Sequence, residues 1–268
     1  METSHIPWHT AFIEAMQMEL MPYLDILEFI PEFQLSTEPL RIDCVVIKKK
    51  KDAAIDKNIA TIFREVNLLE YKSPEDYISI SDFYKVYSYA CLYVSLNKTP
   101  VSSMTISFVE SRNPRELLKH LRKTRGYKVE ENSPGIYTVV GDIFPIQVID
   151  NRKLPLEENL WLKCLGKRLN RLMAQRFLEE ESLQPKDARI QAYKEAIVRA
   201  NFLAIGEAIR MGKTALSFDE YLEKTGIAAK FEARGVAIVE ANAHKYVLGL
   251  LSQGLSTDEI RQRLQDMP

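Results

Sequence analysis

Three charged residues, Asp43, Glu70 and Lys72, lie within or directly after short apolar segments, and their types and spacing could perform chemistry. Asp43 lies in the segment 42–47, whereas Glu70 and Lys72 belong to the segment 66–72. Short apolar runs that are rich in β-branched residues predict buried strands of a mixed sheet. A strand with two buried faces offers no favourable position for a charge, so these three residues require a specific explanation.

The alternation of side chains along a strand supplies one explanation. Glu70 and Lys72 share one face, with Tyr71 on the other, and a neighbouring strand that carries Asp43 would add a second carboxylate. Two close carboxylates repel each other unless a cation lies between them, and sparse oxygen ligation favours Mg²⁺. Lys72 could orient or deprotonate an attacking water and stabilise charge on a phosphate. The pattern outlines metal-assisted phosphodiester hydrolysis, with a structural ion pair at the strand end as the simpler alternative.

Several segments, in a fixed order along the chain, resemble a known family. They are Glu38–Asp43, Leu69–Asp76, Asp82–Tyr93 and Thr105–Pro114. Together they resemble the PD-(D/E)XK nuclease superfamily, and within it the bacterial proteins grouped with recombination-promoting nucleases and transposases. The resemblance extends over residues 8–150, and Ile42 replaces the proline of the family's name.

The resemblance implies a fold, an activity and a set of site residues. The fold is an α/β, restriction-endonuclease-like mixed sheet flanked by helices. The activity is a Mg²⁺-dependent DNA endonuclease, with Mn²⁺ as the alternative ion, linked to recombination or mobile elements. In this family the residues matching Asp43 and Glu70 bind metal, the residue matching Lys72 assists the nucleophile, and an acidic residue on the first helix, here Glu19, often completes the metal site. The helix after the motif often supplies an auxiliary polar group, for which Lys85 is the candidate.

Some of these residues have ordinary alternatives. Glu19 lies at the edge of the apolar stripe of a helix predicted within residues 7–27, where a solvated glutamate fits equally well. Lys85 fits a surface lysine equally well. His5 and His9 are spaced like a pair of metal ligands, but they lie at the start of the chain without a third ligand and are expected on the surface. The rivals to a nuclease are a catalytically silent binding protein of the same fold and an interaction module built on the C-terminal helices.

Composition limits the function further. The chain has 268 residues, 46% hydrophobic and 27% charged, as in an ordinary globular protein. Its formal net charge of −1 gives no overall basic field, so DNA contact requires a local patch. No apolar run approaches the roughly 20 residues that cross a bilayer, and the N-terminus lacks the features of a signal peptide. Cys44, Cys91 and Cys164 predict buried free thiols in a cytoplasmic protein without membrane partners.

The remaining patterns predict the elements around the site. Strands at 28–34 and 40–48 form a hairpin, and a helix capped by Ser79 and Asp82 runs to about residue 96. The other predictions are a short helix at 56–66, a strand at 103–110, a helix at 114–124 and two or three strands in 128–150 with a turn at 132–135. Basic clusters at 48–51 and 112–125 either hold phosphates or face water, and the tyrosines of the capped helix either stack on bases or pack internally.

A change in composition predicts a domain boundary near Asn151. The nuclease-like domain comprises 1–153, and an all-helical C-terminal region comprises 154–268. Helices are predicted at 157–181, at 185–211 and from 218 to about 253. A segment at 251–260 resembles half of a helix-turn-helix with few basic residues, which favours protein packing, and the C-terminal helices offer a surface for a homo-oligomer.

Overall fold

The structure, a computed structural model, describes residues 8–34, 41–48, 53–183, 191–211 and 217–229. The helices are α1 (Trp8–Glu19), α2 (Ile80–Asn97), α3 (Arg115–Lys123), α4 (Leu160–Cys164), α5 (Arg171–Leu183), α6 (Gln191–Ala200), α7 (Phe202–Met211) and α8 (Phe218–Lys224). The strands are β1 (Leu27–Gln34), β2 (Arg41–Lys48), β3 (Val66–Lys72), β4 (Met104–Glu110), β5 (Lys128–Ser133), β6 (Ile136–Val140) and β7 (Ile146–Asp150).

The seven strands form one mixed sheet in the order β1-β2-β3-β4-β7-β6-β5. β2 is antiparallel to β1 and β3, β4 is parallel to β3 and β7, and β6 is antiparallel to β7 and β5. Helices cover both faces of β3 and β4. Tyr71 stacks on Phe12 of α1 on one face, and Phe108 packs against Phe83 of α2 on the other. The predicted α/β architecture, a mixed sheet flanked by helices, is confirmed.

α2 begins where its capping residues predict. Ser79 Oγ accepts a hydrogen bond from Asp82 N, and the Asp82 carboxylate accepts one from Ser79 N at 2.9 Å, which completes a capping box. Along the helix, Tyr89 and Tyr93 are buried with the core residues, whereas Tyr84 is exposed. Packing, rather than base stacking, therefore accounts for Tyr89 and Tyr93.

The predicted helix at 56–66 is wrong. Only the short 3₁₀ turn Asn58–Ala60 forms in this segment. The buried side chain of Asn67 accepts a hydrogen bond from Arg64 N at 2.8 Å and donates to Arg64 O and Val46 O at 2.9 and 3.1 Å. These bonds hold the chain in a turn against β2, so it enters β3 without helical continuation.

Two predicted long helices are each divided. The segment 157–181 breaks between α4 and α5, because Asn151 Nδ2 donates to Leu162 O and Leu165 O at the end of α4. The segment 185–211 breaks between α6 and α7 at Asn201, whose side chain accepts from Leu169 N and donates to Gly166 O. Both asparagines are buried. Their side-chain amides form hydrogen bonds with backbone groups of neighbouring elements. In a continuous helix these backbone groups would lie elsewhere and the bonds could not form.

The chain divides into two compact units, residues 1–208 and 209–268. In the first unit α4 and α6 pack against α1, and Tyr193 N donates to Glu14 Oε2 at 2.6 Å. This unit therefore continues past the predicted boundary at 153/154. In the second unit α8 begins at the predicted capping box of Ser217 and Glu220. The helix predicted from 218 to about 253 ends at Lys224, before a turn in which Gly226 has a positive φ of 71°. The part of this prediction beyond residue 229, and the whole segment at 251–260, lie outside the described residues.

The three cysteines are free thiols with different exposure. Cys44 and Cys164 are buried, but Cys91 is exposed, so the prediction that all three are buried is wrong for Cys91. α2 buries residues 83, 86, 90 and 93, and this stripe leaves position 91 on its outer face. Among the described residues, none of the helices has the length and apolar character that crossing a membrane requires.

Candidate active site at the charged end of the sheet

Charged side chains gather where β2 begins and where β3, β4 and β7 end. The parallel register aligns Lys72 with Glu110 and Glu110 with Asp150. The antiparallel ladder between β2 and β3 places Asp43 beside Glu70. We call these five residues the charged end of the sheet. Residues far apart in sequence thus form one patch because the strands that carry them begin or end together.

Asp43 and Glu70 lie at adjoining positions of β2 and β3, near enough for the charge of Asp43 to act on Glu70. Asp43 Oδ2 accepts a hydrogen bond from Tyr71 N at 2.8 Å, which fixes the carboxylate at the junction of β2 and β3. Burial, reinforced by the charge of Asp43, raises the pKa of Glu70 to about 7, and Lys72 and Lys85 oppose the shift. A bound cation would relieve the repulsion that this pKa reports.

Lys72 lies beside the pair as an ammonium group. Its Nζ is 3.7 Å from Glu70 Oε1 and 2.8 Å from Asp82 Oδ1. Burial acts to lower the pKa of Lys72, but the hydrogen bond with Asp82 and the charges of Glu70, Asp82 and Asp76 raise it above its usual value. A lysine held in its charged form can orient a water and stabilise an anion. The geometry therefore favours these roles of Lys72 over deprotonation of the water.

Asp82 and His9 join the site, although the sequence pattern did not assign them to it. The sequence indicates Asp82 only as a helix cap. Burial acts to raise the pKa of Asp82, but hydrogen bonds from Lys72 and Ser79 lower it below its usual value. His9 Nδ1 lies 3.4 Å from Asp43 Oδ2, with its side chain 55% exposed, which confirms a surface position but not isolation. The hydrogen bond with Asp43 raises the pKa of His9 against partial burial, and the charges of Asp43 and Glu70 add to the rise. His5 lies outside the described residues.

A cap directly after a Glu-x-Lys strand is a sequence signal that could have identified Asp82, because the start of the helix must lie near the end of that strand. The spacing of His9 from His5 does not indicate its contact with Asp43. Its contact with Asp43 joins α1 to β2, which are distant in sequence. Only the packing of α1 on the sheet brings the two residues together.

Glu19 interacts with a different set of groups. Its Oε2 lies 2.5 Å from Lys57 Nζ, and its Oε1 accepts a hydrogen bond from Leu162 N at 3.1 Å. Burial raises the pKa of Glu19, while Lys57 and the backbone donors of α4 act in the opposite direction. Over the described ranges, no three His, Cys, Asp or Glu side chains converge as a preformed metal cage. The structure therefore brings Asp43 and Glu70 together and engages Glu19 in a separate ion pair.

Lys85 is exposed on the first turns of α2, with its Nζ 5.6 Å from the centre of the Tyr89 ring. Its positive charge is close enough to Glu70 to oppose the rise in the pKa of that carboxyl. Lys85 thus lies near the predicted site without a direct bond to Asp43 or Glu70 among the described contacts.

The donor set of Asp43 and Glu70 fits Mg²⁺. This ion is usually held by one or two carboxylates and keeps several waters, so a third protein carboxylate is not required. Oxygen donors without thiolate or several imidazoles also favour a hard ion over Zn²⁺. Lys72 and Lys85 are the cations whose charges act on Glu70.

Glu110 continues the charged end of the sheet beyond Lys72. Its Oε2 accepts a hydrogen bond from Ile78 N at 3.2 Å, which ties β4 to the segment before α2, and its Oε1 is buried without a hydrogen-bond partner. Burial raises the pKa of Glu110 to about 7 against that hydrogen bond. The neighbouring Asp150 is bound at both oxygens by Arg152, with Nε and Nη2 at 3.0 and 2.9 Å.

Glu110→Gln is expected to raise the free energy of unfolding above pH 7. The pKa of Glu110 is about 7 in the folded protein, which exceeds its ordinary value, so the folded state binds this proton more tightly. The wild type therefore loses stability as the pH rises from about 5 to about 8, and an uncharged side chain avoids a loss of about 1–3 kcal/mol.

Urea unfolding of both proteins at about pH 5 and about pH 8 measures the difference. The exposed Glu116→Gln is the matched control and should show no such dependence. A Glu110→Gln protein that is destabilised equally at both pH values would contradict a buried, ionisable Glu110.

Comparisons with known proteins were made at three levels. Searches of protein-family models, of curated proteins and of solved structures find no match to this chain. The residues of the site and their arrangement therefore carry the functional proposal.

Proposed function

We propose that this protein is a Mg²⁺-dependent nuclease that hydrolyses phosphodiester bonds in DNA. The convergence of Asp43, Glu70 and Lys72 at the ends of adjacent strands carries the proposal. The resemblance of these segments to the PD-(D/E)XK nucleases supports the same chemistry, with Mn²⁺ as a substitute ion and a role linked to recombination or mobile elements. The mixed sheet flanked by helices is compatible with that superfamily.

Each residue has a defined part in this mechanism. Asp43 and Glu70 would hold the ion, and the hydrogen bond from Tyr71 N keeps the Asp43 carboxylate oriented. When bound, Mg²⁺ supplies an acidified water and neutralises charge on the phosphate. Lys72 remains protonated, orients the water and stabilises the developing negative charge. Asp82 holds Lys72 in position through their 2.8 Å contact.

One observation favours a second candidate, a catalytically silent protein that binds nucleic acid or another protein. Lys72 already contacts Glu70 and Asp82, so part of the negative charge of these carboxylates is balanced without a metal ion. In that case the acidic residues stabilise the sheet end, and Mg²⁺ has no effect on folding. The two candidates predict opposite results in the same assay.

Supercoiled plasmid should be nicked in the presence of Mg²⁺ or Mn²⁺, and chelator should stop the reaction. Lys72→Gln should lower the rate by at least about 100-fold, because it removes the group that stabilises the anionic transition state. Gel separation of supercoiled and nicked plasmid measures both rates.

Lys98→Gln is the matched control. Lys98 is an exposed lysine at the opposite end of α2, and its variant should cleave as the wild type does. Cleavage by Lys72→Gln at the wild-type rate would reject the role of Lys72. A folded wild-type protein that neither cleaves nor gains stability from Mg²⁺ would favour the silent binding protein.

A further inference from the structure

α3 presents a basic face to solvent on a chain with almost no net charge. Its inner positions, Leu117, Leu118 and Leu121, are buried in the core. Its exposed cations are Arg115, Lys119, Arg122 and Lys123. The one carboxylate of the helix, Glu116, is exposed and lies 3.8 Å from Lys119, where solvent screens the pair. We call these four cations the α3 face.

The spacing of the α3 face suits a regular chain of anions. Arg115, Lys119 and Arg122 are separated by four and three residues, so they lie on one side of the helix. They span about 10 Å along the helix axis. Consecutive phosphates on one strand of a duplex advance about 3.4 Å along its axis, so this length matches about three nucleotides.

The α3 face is connected to the charged end of the sheet through α2. Tyr84 OH lies 3.1 Å from His120 Nε2, and the two rings make an edge contact. Tyr84 is 41% exposed, and the next residue, Lys85, acts electrostatically on Glu70. The exposed side chains of Lys85 and Tyr84 therefore lie between the buried Glu70 and α3.

Arg125 packs against Tyr84 and a second tyrosine, Tyr127. Its guanidinium group lies 5.1 Å from the Tyr127 ring and 6.0 Å from the Tyr84 ring, and its Nε donates to Tyr127 OH at 2.9 Å. Asp142 lies 3.7 Å from the same guanidinium. These contacts hold Arg125 and the tyrosines in place, so the α3 face, rather than Arg125, supplies the cations for a partner.

We infer that the α3 face binds the phosphate backbone of duplex DNA. Tyr84 and His120 lie between this face and the charged end of the sheet. The inference rests on the proposed function, because it names the surface through which that site receives its substrate. Contacts from lysine and arginine to phosphates position a duplex without reading its bases. The surface is therefore expected to act independently of sequence.

The test measures binding of a labelled 30-base-pair duplex in chelator, where the proposed hydrolysis cannot proceed. The triple variant Arg115→Gln, Lys119→Gln and Arg122→Gln should bind at least about tenfold more weakly at low salt. Each lost phosphate contact reduces the slope of log K against log[salt] by about 0.9, so the slope should become less steep by about 2–3. Fluorescence anisotropy at several salt concentrations gives both quantities.

The control removes three other exposed cations: Lys98→Gln, Arg168→Gln and Arg171→Gln. It changes the net charge equally and should bind as the wild type does. Equal weakening in both triple variants would overturn the inference, because charge alone would then explain binding. Equal affinity of wild type and α3 variant would also overturn it. Poly-glutamate that binds the wild type as tightly as duplex DNA, with loss in the α3 variant, would assign the surface to an acidic protein partner instead.

Failure of the inferred DNA-binding surface can be distinguished from failure of the proposed nuclease activity. Tight binding that depends on α3, without cleavage by the wild type, would retain the surface and reject the nuclease. Cleavage by the wild type, together with unchanged duplex binding in the α3 variant, would retain the nuclease and reject the surface. Should the triple variant lower the melting temperature, the single variant Lys119→Gln provides the same comparison, with an expected slope change of about 0.9.

Discussion

Asp43→Asn should abolish metal-dependent nicking, with a loss of at least about 100-fold and an intact fold. Asparagine matches the size of aspartate and keeps an oxygen that accepts the hydrogen bond from Tyr71 N, so the junction of β2 and β3 is preserved. It removes one of the two charges that hold the ion. Plasmid nicking measures the loss, and circular dichroism verifies the fold.

The same variant distinguishes a metal ligand from a structural carboxylate. In chelator its free energy of unfolding near neutral pH should equal or exceed that of the wild type. Burial is the main cause of the raised pKa of Glu70, and Asp43 contributes repulsion that asparagine removes. In Mg²⁺ the order should reverse, because an ion that binds only the folded wild type adds about 2.7 kcal/mol at a concentration of 100 times its Kd.

Asp76→Asn is the control for this reversal. Asp76 is a carboxylate near the site, 3.8 Å from Lys72 Nζ, but its side chain is 56% exposed and outside the pair. Its variant should keep the full stabilisation by Mg²⁺. An Asp43→Asn protein that nicks plasmid at the wild-type rate, or that gains as much from Mg²⁺, would show that Asp43 is not a ligand.

The parts of the fold that follow from local patterns could be predicted. β3 is an apolar run whose residues are buried almost throughout, and α2 begins at a capping box formed by adjacent residues. The buried side chains of Asn67, Asn151 and Asn201 end or divide segments that otherwise have helical patterns. Their partners lie on other elements or across turns, so no local pattern reveals them. Tertiary hydrogen bonds override helix propensity at these positions.

The site residues likewise include some whose positions follow from local patterns and some whose positions do not. The common face of Glu70 and Lys72 follows from strand alternation, and once β2 and β3 are antiparallel neighbours the pairing of Asp43 with Glu70 follows from it too. The direction of the Glu19 side chain does not follow from any local pattern. A glutamate at the edge of an apolar stripe can face either the sheet end or another element, and its partner Lys57 lies in a segment that is wrongly predicted as a helix. Only the packed structure identifies that partner.

Lys57→Met should destabilise the protein by about 3–5 kcal/mol, the largest effect on stability that we expect. The side chains of Glu19 and Lys57 are only 2% and 18% exposed, and their charged atoms lie 2.5 Å apart. Without Lys57 the Glu19 carboxylate retains the hydrogen bond from Leu162 N but loses its counter-charge. Lys57 Nζ also donates to Glu158 O, a bond that methionine cannot make. Urea unfolding at neutral pH measures the change.

The double variant Glu19→Gln and Lys57→Met should recover most of this stability, because it removes the uncompensated buried charge. It should also keep plasmid nicking and stabilisation by Mg²⁺, since the ion pair joins α1, the turn that carries Lys57 and α4, separately from Asp43. Loss of the Mg²⁺ effect in the double variant would instead make Glu19 a metal ligand. Lys167→Met is the exposed control: Lys167 pairs with Glu75 on the surface, and its loss should cost about 1 kcal/mol or less. A Lys57→Met protein as stable as Lys167→Met would contradict a buried ion pair that fastens α1 to α4.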